Sequence, residues 1–243
     1  MEQKQPIISL DGIHYSYPGS RPILKDLGLT IFKGERIGLV APNGSGKTTL
    51  FHIIMGLLKP SAGRVNIFGK DRQTEQDFKD VRRRIGLLFQ DADDQLFSPT
   101  VLEDVAFGPL NLGKTKEEAV AISRKTLNFI GLDDFEDRIT HKLSGGEKRL
   151  VSLATVLAME PEVLLLDEPG NALDSDMKSK LIHILNSLSI TFILISHEFD
   201  FISETTDRIF SMEHGKLLLD DEVYFHTHRH SHKVGRQPHK HIS

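Results

Sequence analysis

The chain has 243 residues, 39% hydrophobic and 26% charged, as expected for a globular protein with one large domain or one domain and a subdomain. No apolar run approaches the roughly 18 residues of a membrane helix. The polar start "MEQKQP" lacks a signal-peptide core, so we expect the chain in the cytosol unless a partner holds it at a membrane. The absence of cysteine excludes disulfides and thiolate metal sites. The net charge is −4 although the C-terminal residues are basic, so the body is not expected to bind nucleic acid.

The first half of the sequence predicts strands followed by a strand, loop and helix unit. "IISLDGIHYSYPG" (7–19) and "ILKDLGLTIFKGE" (23–35) are typical of strands and turns. "RIGLV" (36–40) is a short apolar run, followed by a Gly-rich loop. The apolar spacing of "KTTLFHIIMGLL" (47–58) then predicts a buried helix.

The second half alternates apolar strands with helical segments. "RIGLLFQ" (84–90), "EVLLLDEP" (162–169) and "ITFILISH" (190–197) are typical of strands buried on both faces of a parallel sheet. A helix is predicted over 174–188. The pattern predicts an α/β core with an antiparallel-rich start. Residues from about 91 to 142 are predicted to be mostly helical.

The Gly-rich loop "APNGSGKTT", from Ala41 to Thr49, is nearly the G-x-x-x-x-G-K-[ST] pattern that wraps nucleotide phosphates at a helix N-terminus. Lys47 can reach the β- and γ-phosphates, and the Thr48 hydroxyl can ligate Mg²⁺. Ala41 replaces the first glycine. If this position requires a positive φ, alanine costs about 1 kcal/mol; otherwise the loop has ordinary dihedrals there.

Two further motifs indicate phosphate chemistry. "VLLLDEP" places Asp167 where it can hold Mg²⁺ through water, and Glu168 where it can polarise an attacking water. Taken alone, the same run also fits a strand that ends in a solvated acidic turn. Ser144, Gly145 and Gly146 open a predicted helix and offer a hydroxyl, free N–H groups and a positive dipole end, which together suit an anion.

In these motifs the sequence resembles the ATP-binding cassette (ABC) ATPases, from about residue 7 to 222. The motifs occur in the family's order: "APNGSGKTT" (Walker A), Gln90 (Q-loop), "LSGGE" (signature), "VLLLDEP" (Walker B), "NALD" (D-loop) and His197 (switch histidine). The resemblance implies residues 1–222 as the ATPase domain, with a helical subdomain inserted at about 91–160. Residues 223–243 form a His-rich basic tail, expected to be flexible.

The resemblance also implies the roles of individual residues. Two cassettes pack head to tail, with ATP between the phosphate loop of one and the signature of the other; a homodimer is the simplest assembly and a heterodimer is possible. Tyr17 matches the aromatic residue that stacks on adenine, and Tyr15 is the alternative for this role. The implied catalytic residues are Lys47, Gln90, Glu168 and His197. The implied Mg²⁺ ligands are Thr48, Gln90 and Asp167. The implied nucleotide contacts are Tyr17, Asn43, Gly44, Ser45, Gly46, Lys47, Thr48, Thr49, Ser144, Gly145, Gly146 and, across the dimer interface, Asp174.

The stretch "FQDADDQLFSPTVLEDVAFGPLNLG" is similar to the ATPases of energy-coupling factor (ECF) importers, which take up vitamins, cobalt and nickel. Glu147, where most cassettes have Gln, is frequent in that group. The resemblance implies transmembrane coupling and substrate-binding partners, with Asp93 and Asp94 shaping a groove for the coupling helices. It implies a peripheral location on the cytoplasmic side of the cell membrane. A vitamin importer ATPase remains an alternative, as does a soluble ABC protein of DNA repair or translation.

Six of the twelve histidines fall in the last eighteen residues, and we interpret this cluster as a binding site for Ni²⁺ or Co²⁺. Neutral imidazoles at these spacings can chelate in an extended or a helical segment. A solvated basic tail attracted to anionic lipid is the simpler alternative. With the ECF resemblance, the cluster predicts an importer of nickel or cobalt. Its candidate ligands are His226, His228, His230, His232, His239 and His241.

Overall fold

The computed structural model describes residues 5–219, and its first layer is an antiparallel sheet. With strands numbered in chain order, this sheet has the order β2-β1-β4-β5. Alternate side chains of β2 are buried, which is the period-2 pattern that the sequence displays. The strands are β1 (Pro6–Tyr15), β2 (Leu24–Phe32), β4 (Ala62–Ile67) and β5 (Lys70–Asp71).

A six-stranded sheet forms the centre of the molecule, in the order β10-β9-β3-β8-β7-β6. All of its pairs are parallel except that of β9 with β10. Every residue of β7 and β8 is buried, which explains their continuous apolar sequences. The strands are β3 (Arg36–Val40), β6 (Ile85–Leu88), β7 (Val163–Asp167), β8 (Thr191–Ile195), β9 (Arg208–Glu213) and β10 (Lys216–Leu219).

Seven α-helices accompany the sheets within residues 5–219, and capping boxes begin four of them, at Thr74, Thr100, Thr115 and Ser144. The first helix ends four residues before its predicted end at Leu58. Gly56, two residues past its last turn, takes a φ of 68°, which stops a right-handed helix. The helices are α1 (Lys47–Ile54), α2 (Glu75–Arg84), α3 (Val101–Asn111), α4 (Lys116–Phe129), α5 (Gly145–Leu157), α6 (Ser175–Ser187) and α7 (Phe199–Thr205).

Helices α3, α4 and α5 lie between β6 and β7 in the chain and pack against one another. Their apolar side chains, such as Val105, Leu127 and Leu150, share one cluster with Leu164 of β7 and Phe192 of β8. A second cluster joins the antiparallel sheet to α1 and to the other face of the central sheet. None of the helices described here is long and apolar enough to cross a membrane. The predicted α/β core with an antiparallel start is confirmed.

Candidate active site

The loop between β3 and α1 leaves its polar groups free for a ligand. Gly44 and Gly46 have φ values of 77° and 104°, conformations that an L side chain rarely adopts. Gly46 is the N-cap of α1, and no capping side chain accepts a hydrogen bond from the backbone N–H groups of that helix's first turn. The buried Ser45 hydroxyl has no hydrogen-bond partner among the described residues. Unpaired donors at a helix start suit phosphate oxygens.

Ala41 causes no backbone strain in this loop. It is buried and is not among the non-glycine residues with positive φ. Its carbonyl accepts a hydrogen bond of 2.9 Å from Lys47 Nζ. The loop therefore has ordinary dihedrals at this position, which answers the question raised by the missing glycine.

Lys47, Glu168 and His197 meet behind the phosphate loop. Lys47 Nζ lies 3.1 Å from Glu168 Oε1, and His197 Nδ1 lies 3.0 Å from Glu168 Oε2. Lys47 and Glu168 are almost fully buried, whereas the His197 ring is exposed. At this distance His197 Nδ1 can donate a hydrogen bond to the carboxylate in the tautomer that carries the proton on Nδ1.

Glu168 follows β7 in an unusual backbone conformation. Its φ is 48°, a left-handed value that costs a non-glycine residue about 1–3 kcal/mol. Its N–H donates to the carbonyl of Ile195, so the pairing of β7 with β8 continues through it. This strained turn directs the carboxylate toward Lys47 and His197.

Asp167 and Thr48 supply oxygen atoms beside the loop. Thr48 Oγ1 donates to Asp167 Oδ2 at 2.8 Å. Burial raises the pKa of Asp167 above its ordinary value, while the hydrogen bond from Thr48 acts in the opposite direction. Carboxylate and hydroxyl oxygens are the donors that Mg²⁺ prefers, so these residues fit the ion that accompanies ATP. Bound there, the ion would neutralise charge on the phosphates.

A cavity of about 900 Å³ brings together several of the predicted site residues: Thr48, Gln90, Gly145 and Asp167 all line it. The other predicted site residues do not line it: Tyr17, Asn43, Gly44, Ser45, Gly46, Lys47, Thr49, Ser144, Gly146, Glu168, Asp174 and His197. The structure therefore assembles the phosphate loop, Walker B strand and Q-loop at one cleft.

Tyr17 and Tyr15 occupy different surroundings. The Tyr17 hydroxyl lies 3.3 Å from Thr49 Oγ1, and its ring is 39% exposed. Tyr15 meets it edge to face at 5.1 Å and packs against the hydrophobic core. A ring that is to stack on a ligand must be accessible, so the geometry favours Tyr17.

The signature and D-loop residues cap helices. Ser144 and Glu147 form the capping box of α5, in which Glu147 Oε2 accepts from Ser144 N at 2.8 Å. This backbone hydrogen bond lowers the pKa of Glu147 below its ordinary value. Asp174 caps α6 by accepting from Met177 N at 2.8 Å. The Glu that replaces the usual Gln of the signature thus stabilises the start of α5.

Arg149 is a site residue that the sequence analysis did not single out. Its guanidinium is buried and donates to the carbonyls of Phe89 and Gln90. Burial lowers its pKa, an effect that the charges of Asp91 and Asp167 partly offset. The sequence does contain a signal for Arg149: it is a charged residue five positions after Ser144, on a helix whose interior is apolar.

The six tail histidines proposed as metal ligands lie outside the described residues. Within residues 5–219 no group of three or more His, Asp or Glu side chains is arranged to hold a metal ion.

Comparison with known proteins identifies the family. The model of the ABC transporter family matches residues 24–171, well over half of the chain. The chain belongs to the ABC transporter ATPases. The matched residues contain the phosphate loop, the signature and the Walker B strand described above.

The relatives of this ABC ATPase include transporter subunits. A putative ABC transporter ATP-binding protein of Nitratidesulfovibrio vulgaris is 48% identical over 98% of this chain and 87% of the relative. The energy-coupling factor transporter ATP-binding protein EcfA of Methanothermobacter thermautotrophicus and the cobalt import ATP-binding protein CbiO of Rhodobacter capsulatus are each 42% identical. Both matches cover 88% of this chain, with 70% and 78% of the respective relative. The expected likeness to ECF ATPases is confirmed.

Two solved structures share the fold of this ABC ATPase. CbiO1 of Clostridium perfringens, described as part of the transporter complex CbiONQ, superposes with a TM-score of 0.80 at 36% identity. That match covers 88% of this chain and 87% of CbiO1. The dimeric bacterial cassette MJ0796 gives a TM-score of 0.78 at 29% identity, over 86% and 96% of the two chains. The predicted α/β cassette fold and ATPase activity are both confirmed.

Proposed function

We propose that this chain is the ATP-hydrolysing subunit of an ECF-type importer for Ni²⁺ or Co²⁺, working on the cytoplasmic side of the cell membrane. The observation that carries the proposal is the likeness to EcfA and CbiO proteins along most of the chain. In this proposal residues 1–222 form the ATPase domain, with the helical subdomain at about 91–160. Residues 223–243 form the metal-binding tail.

The catalytic roles follow from the contacts of Glu168. Lys47 forms a buried ion pair with the Glu168 carboxylate. When a triphosphate occupies the loop, its negative charge competes for Lys47, which turns toward the β- and γ-phosphates. Glu168 is then free to accept a proton from the attacking water. His197, which contacts Glu168, is the residue proposed to contact the γ-phosphate.

We propose a dimer as the active assembly. The chain has one phosphate loop and one signature. A head-to-tail pair would place Ser144, Gly145 and Gly146 of one protomer over the ATP of the other, with Asp174 crossing the interface. The dimeric structure of the similar cassette MJ0796 supports this assembly. Clamping the triphosphate between two protomers supplies positioning and charge stabilisation, the main contributions to phosphoryl transfer.

An exposed aromatic patch supports docking to a membrane partner. Phe97 is 66% exposed and meets Phe107, 46% exposed, edge to face at 4.7 Å. Phe97 and Ile139 line a groove of about 530 Å³ beside Asp93. Large exposed aromatic side chains that adjoin one another mark interaction surfaces. The ECF-like segment lines one part of this groove, where we propose that coupling helices of the transmembrane subunits bind.

The substrate proposal depends on the tail more than on the relatives. EcfA and CbiO relatives are equally similar at 42% identity, and only the CbiO name states a substrate, cobalt, so identity alone does not assign the substrate of this chain. Six clustered histidines suit Ni²⁺ or Co²⁺ and have no evident use in vitamin uptake.

Purification of the full chain from native membranes tests the importer role. We expect transmembrane proteins to co-purify with the wild type and to be lost with Phe97→Asp, because a buried carboxylate is costly at an apolar interface. Phe129→Asp is the control, since Phe129 is similarly exposed but lies on α4 away from the groove. Recovery of ribosomes or nucleic acid instead of membrane proteins would show that the chain is not an importer subunit.

A further inference from the structure

The Q-loop residue Gln90 lies in the segment from Phe89 to Gln95, and from here on Q-loop means this whole segment. Side chains attach the Q-loop to α5 at both of its ends. Gln95 Nε2 donates to the carbonyl of Ser152 at 2.9 Å and to Thr155 Oγ1 at 2.8 Å. Gln95 Oε1 accepts from Phe89 N, which closes the loop on itself. Near the middle, Lys148 pairs with Asp93. The Q-loop therefore moves with α5.

The side chain of Arg149 contacts the backbone of Gln90 directly. Its Nη1 donates to the Phe89 carbonyl at 2.6 Å, and its Nη2 donates to the carbonyl of Gln90. The side chain is only 6% exposed, and it forms no salt bridge with a carboxylate in the described part of the chain. Burying a charge that forms no direct salt bridge is costly, and the nearby charges of Asp91 and Asp167 offset that cost only in part. The planar, forked guanidinium is instead used to fix two successive carbonyls.

The Gln90 side chain itself is exposed in the cleft that Thr48 and Asp167 also line. Arg149 holds the backbone of Gln90 in place and leaves its side chain free. Arg149 lies four residues, about one helical turn, after Gly145 of the signature. A displacement of the first turns of α5 thus displaces the backbone of Gln90 as well.

We propose that Arg149 is a positioning residue that couples the signature end of α5 to Gln90 of the same chain. Through it, the signature that contacts one ATP sets the position of the glutamine that serves the other ATP of the dimer. The inference rests on the proposed role of Gln90 and on the dimer, and it is independent of the transported substrate.

Steady-state ATP hydrolysis by full-length variants tests this role. Arg149→Met removes both hydrogen bonds, and we expect kcat to fall roughly ten- to one hundredfold. The KM for ATP should change little, because Tyr17 and the phosphate loop are untouched. Arg149→Lys, which keeps the buried positive charge but can reach only one carbonyl, should give an intermediate kcat. Arg124→Gln is the control, an exposed arginine of the same helical subdomain that pairs with Glu136.

A double-mutant cycle separates positioning from general destabilisation. In a Gln90→Ala background, Arg149→Met should reduce kcat by less than about twofold further, because the group it positions is already absent. If the two losses multiply, Arg149 does not act through Gln90 and the inference is overturned while the ATP site stands. If Gln90→Ala alone leaves kcat unchanged, both the role of Gln90 and the inference are wrong.

Discussion

At the scale of single residues, Glu168 is the proposed catalytic base. A left-handed backbone places its carboxylate between a buried lysine and the switch histidine. The local cost of that conformation is tolerated because Asp167 pairs with Ile195 of β8 and the Glu168 N–H donates to the Ile195 carbonyl. In the proposed mechanism, ATP binding draws Lys47 away from this carboxylate, which then acts as the base.

Replacing Glu168 by Gln should nearly abolish turnover. An amide keeps the shape but cannot take a proton from water, so we expect kcat to fall by about two to three orders of magnitude. ATP should remain bound, which a filter assay with labelled ATP would measure. The control is Glu162→Gln, a surface glutamate paired with Arg84. Normal hydrolysis by Glu168→Gln would remove Glu168 as the base.

Glu147 makes a pH-dependent contribution to stability. Its pKa in the folded chain is lowered from the ordinary value of 4.5 by the Ser144 backbone N–H, so its contribution is present above that value. As the pH falls through the lowered pKa, the folded chain must protonate Glu147 and the contribution is lost. Compared with the wild type, Glu147→Gln should lower the free energy of unfolding by about 0.5–1 kcal/mol at neutral pH.

Urea unfolding across the acid range measures this effect. The difference between wild type and Glu147→Gln should shrink between about pH 6 and pH 3. Glu117→Gln, in the first turn of α4 but outside its capping box, should show a smaller difference throughout. A wild-type advantage that does not change with pH would contradict the assignment to the Glu147 charge.

Motifs with fixed local geometry made part of the site predictable from the sequence. The phosphate loop, Asp167 and Glu168 could be located because strand, loop and helix follow each other directly. Arg149 could not, because its contacts with Phe89 and Gln90 span about 60 residues of chain. The contact between Lys47 and Glu168 spans 121 residues and was missed for the same reason.

At the scale of elements, close packing of β6 against α5 connects the core to the helical subdomain. A Cβ on Gly86 would lie 2.2 Å from Val156 Cγ1 of α5 and 3.2 Å from Leu164 Cδ2 of β7. Glycine at this position lets the helix approach the sheet. The strand that leads into the Q-loop is therefore held directly under α5.

Gly86→Ala should destabilise the protein by about 1–3 kcal/mol, because the added methyl group forces the helix and sheet apart. The urea midpoint would report the change. Gly28→Ala is the matched control, since a Cβ there meets nothing closer than 3.9 Å and both glycines lie in strands without a positive φ. Equal midpoints for the two variants would contradict the close approach of α5 to β6.

Elements with long apolar runs were predicted from the sequence. Elements that depend on packing against distant parts of the chain were not. The buried strands β3, β7 and β8 were predicted because their runs are continuous. Helix α2 was not, since only Phe78 and Val81 of its ten residues are buried and its sequence is strongly polar. The two-residue strand β5 is defined by its pairing with β4, which no local pattern reveals. The strands β4, β9 and β10 and the helix α7 were missed as well.

At the scale of the whole molecule, the ATP site and the tail have separate tasks in the proposed importer. The motifs assigned to the ATP site all precede residue 223 in the sequence. Deleting residues 224–243 should therefore leave the basal ATPase rate unchanged in the full complex. Metal accumulation or its regulation should change, because the proposed Ni²⁺ or Co²⁺ ligands are removed. A deletion variant with unaltered metal accumulation would contradict the metal role of the tail.

Uptake by the purified full complex in liposomes tests the central claim most directly. With radioactive nickel, cobalt and vitamins offered in parallel, we expect ATP-dependent accumulation of nickel or cobalt, abolished when Glu168→Gln replaces the wild-type chain. A complex that accumulates a vitamin and ignores both metals would contradict the proposed function.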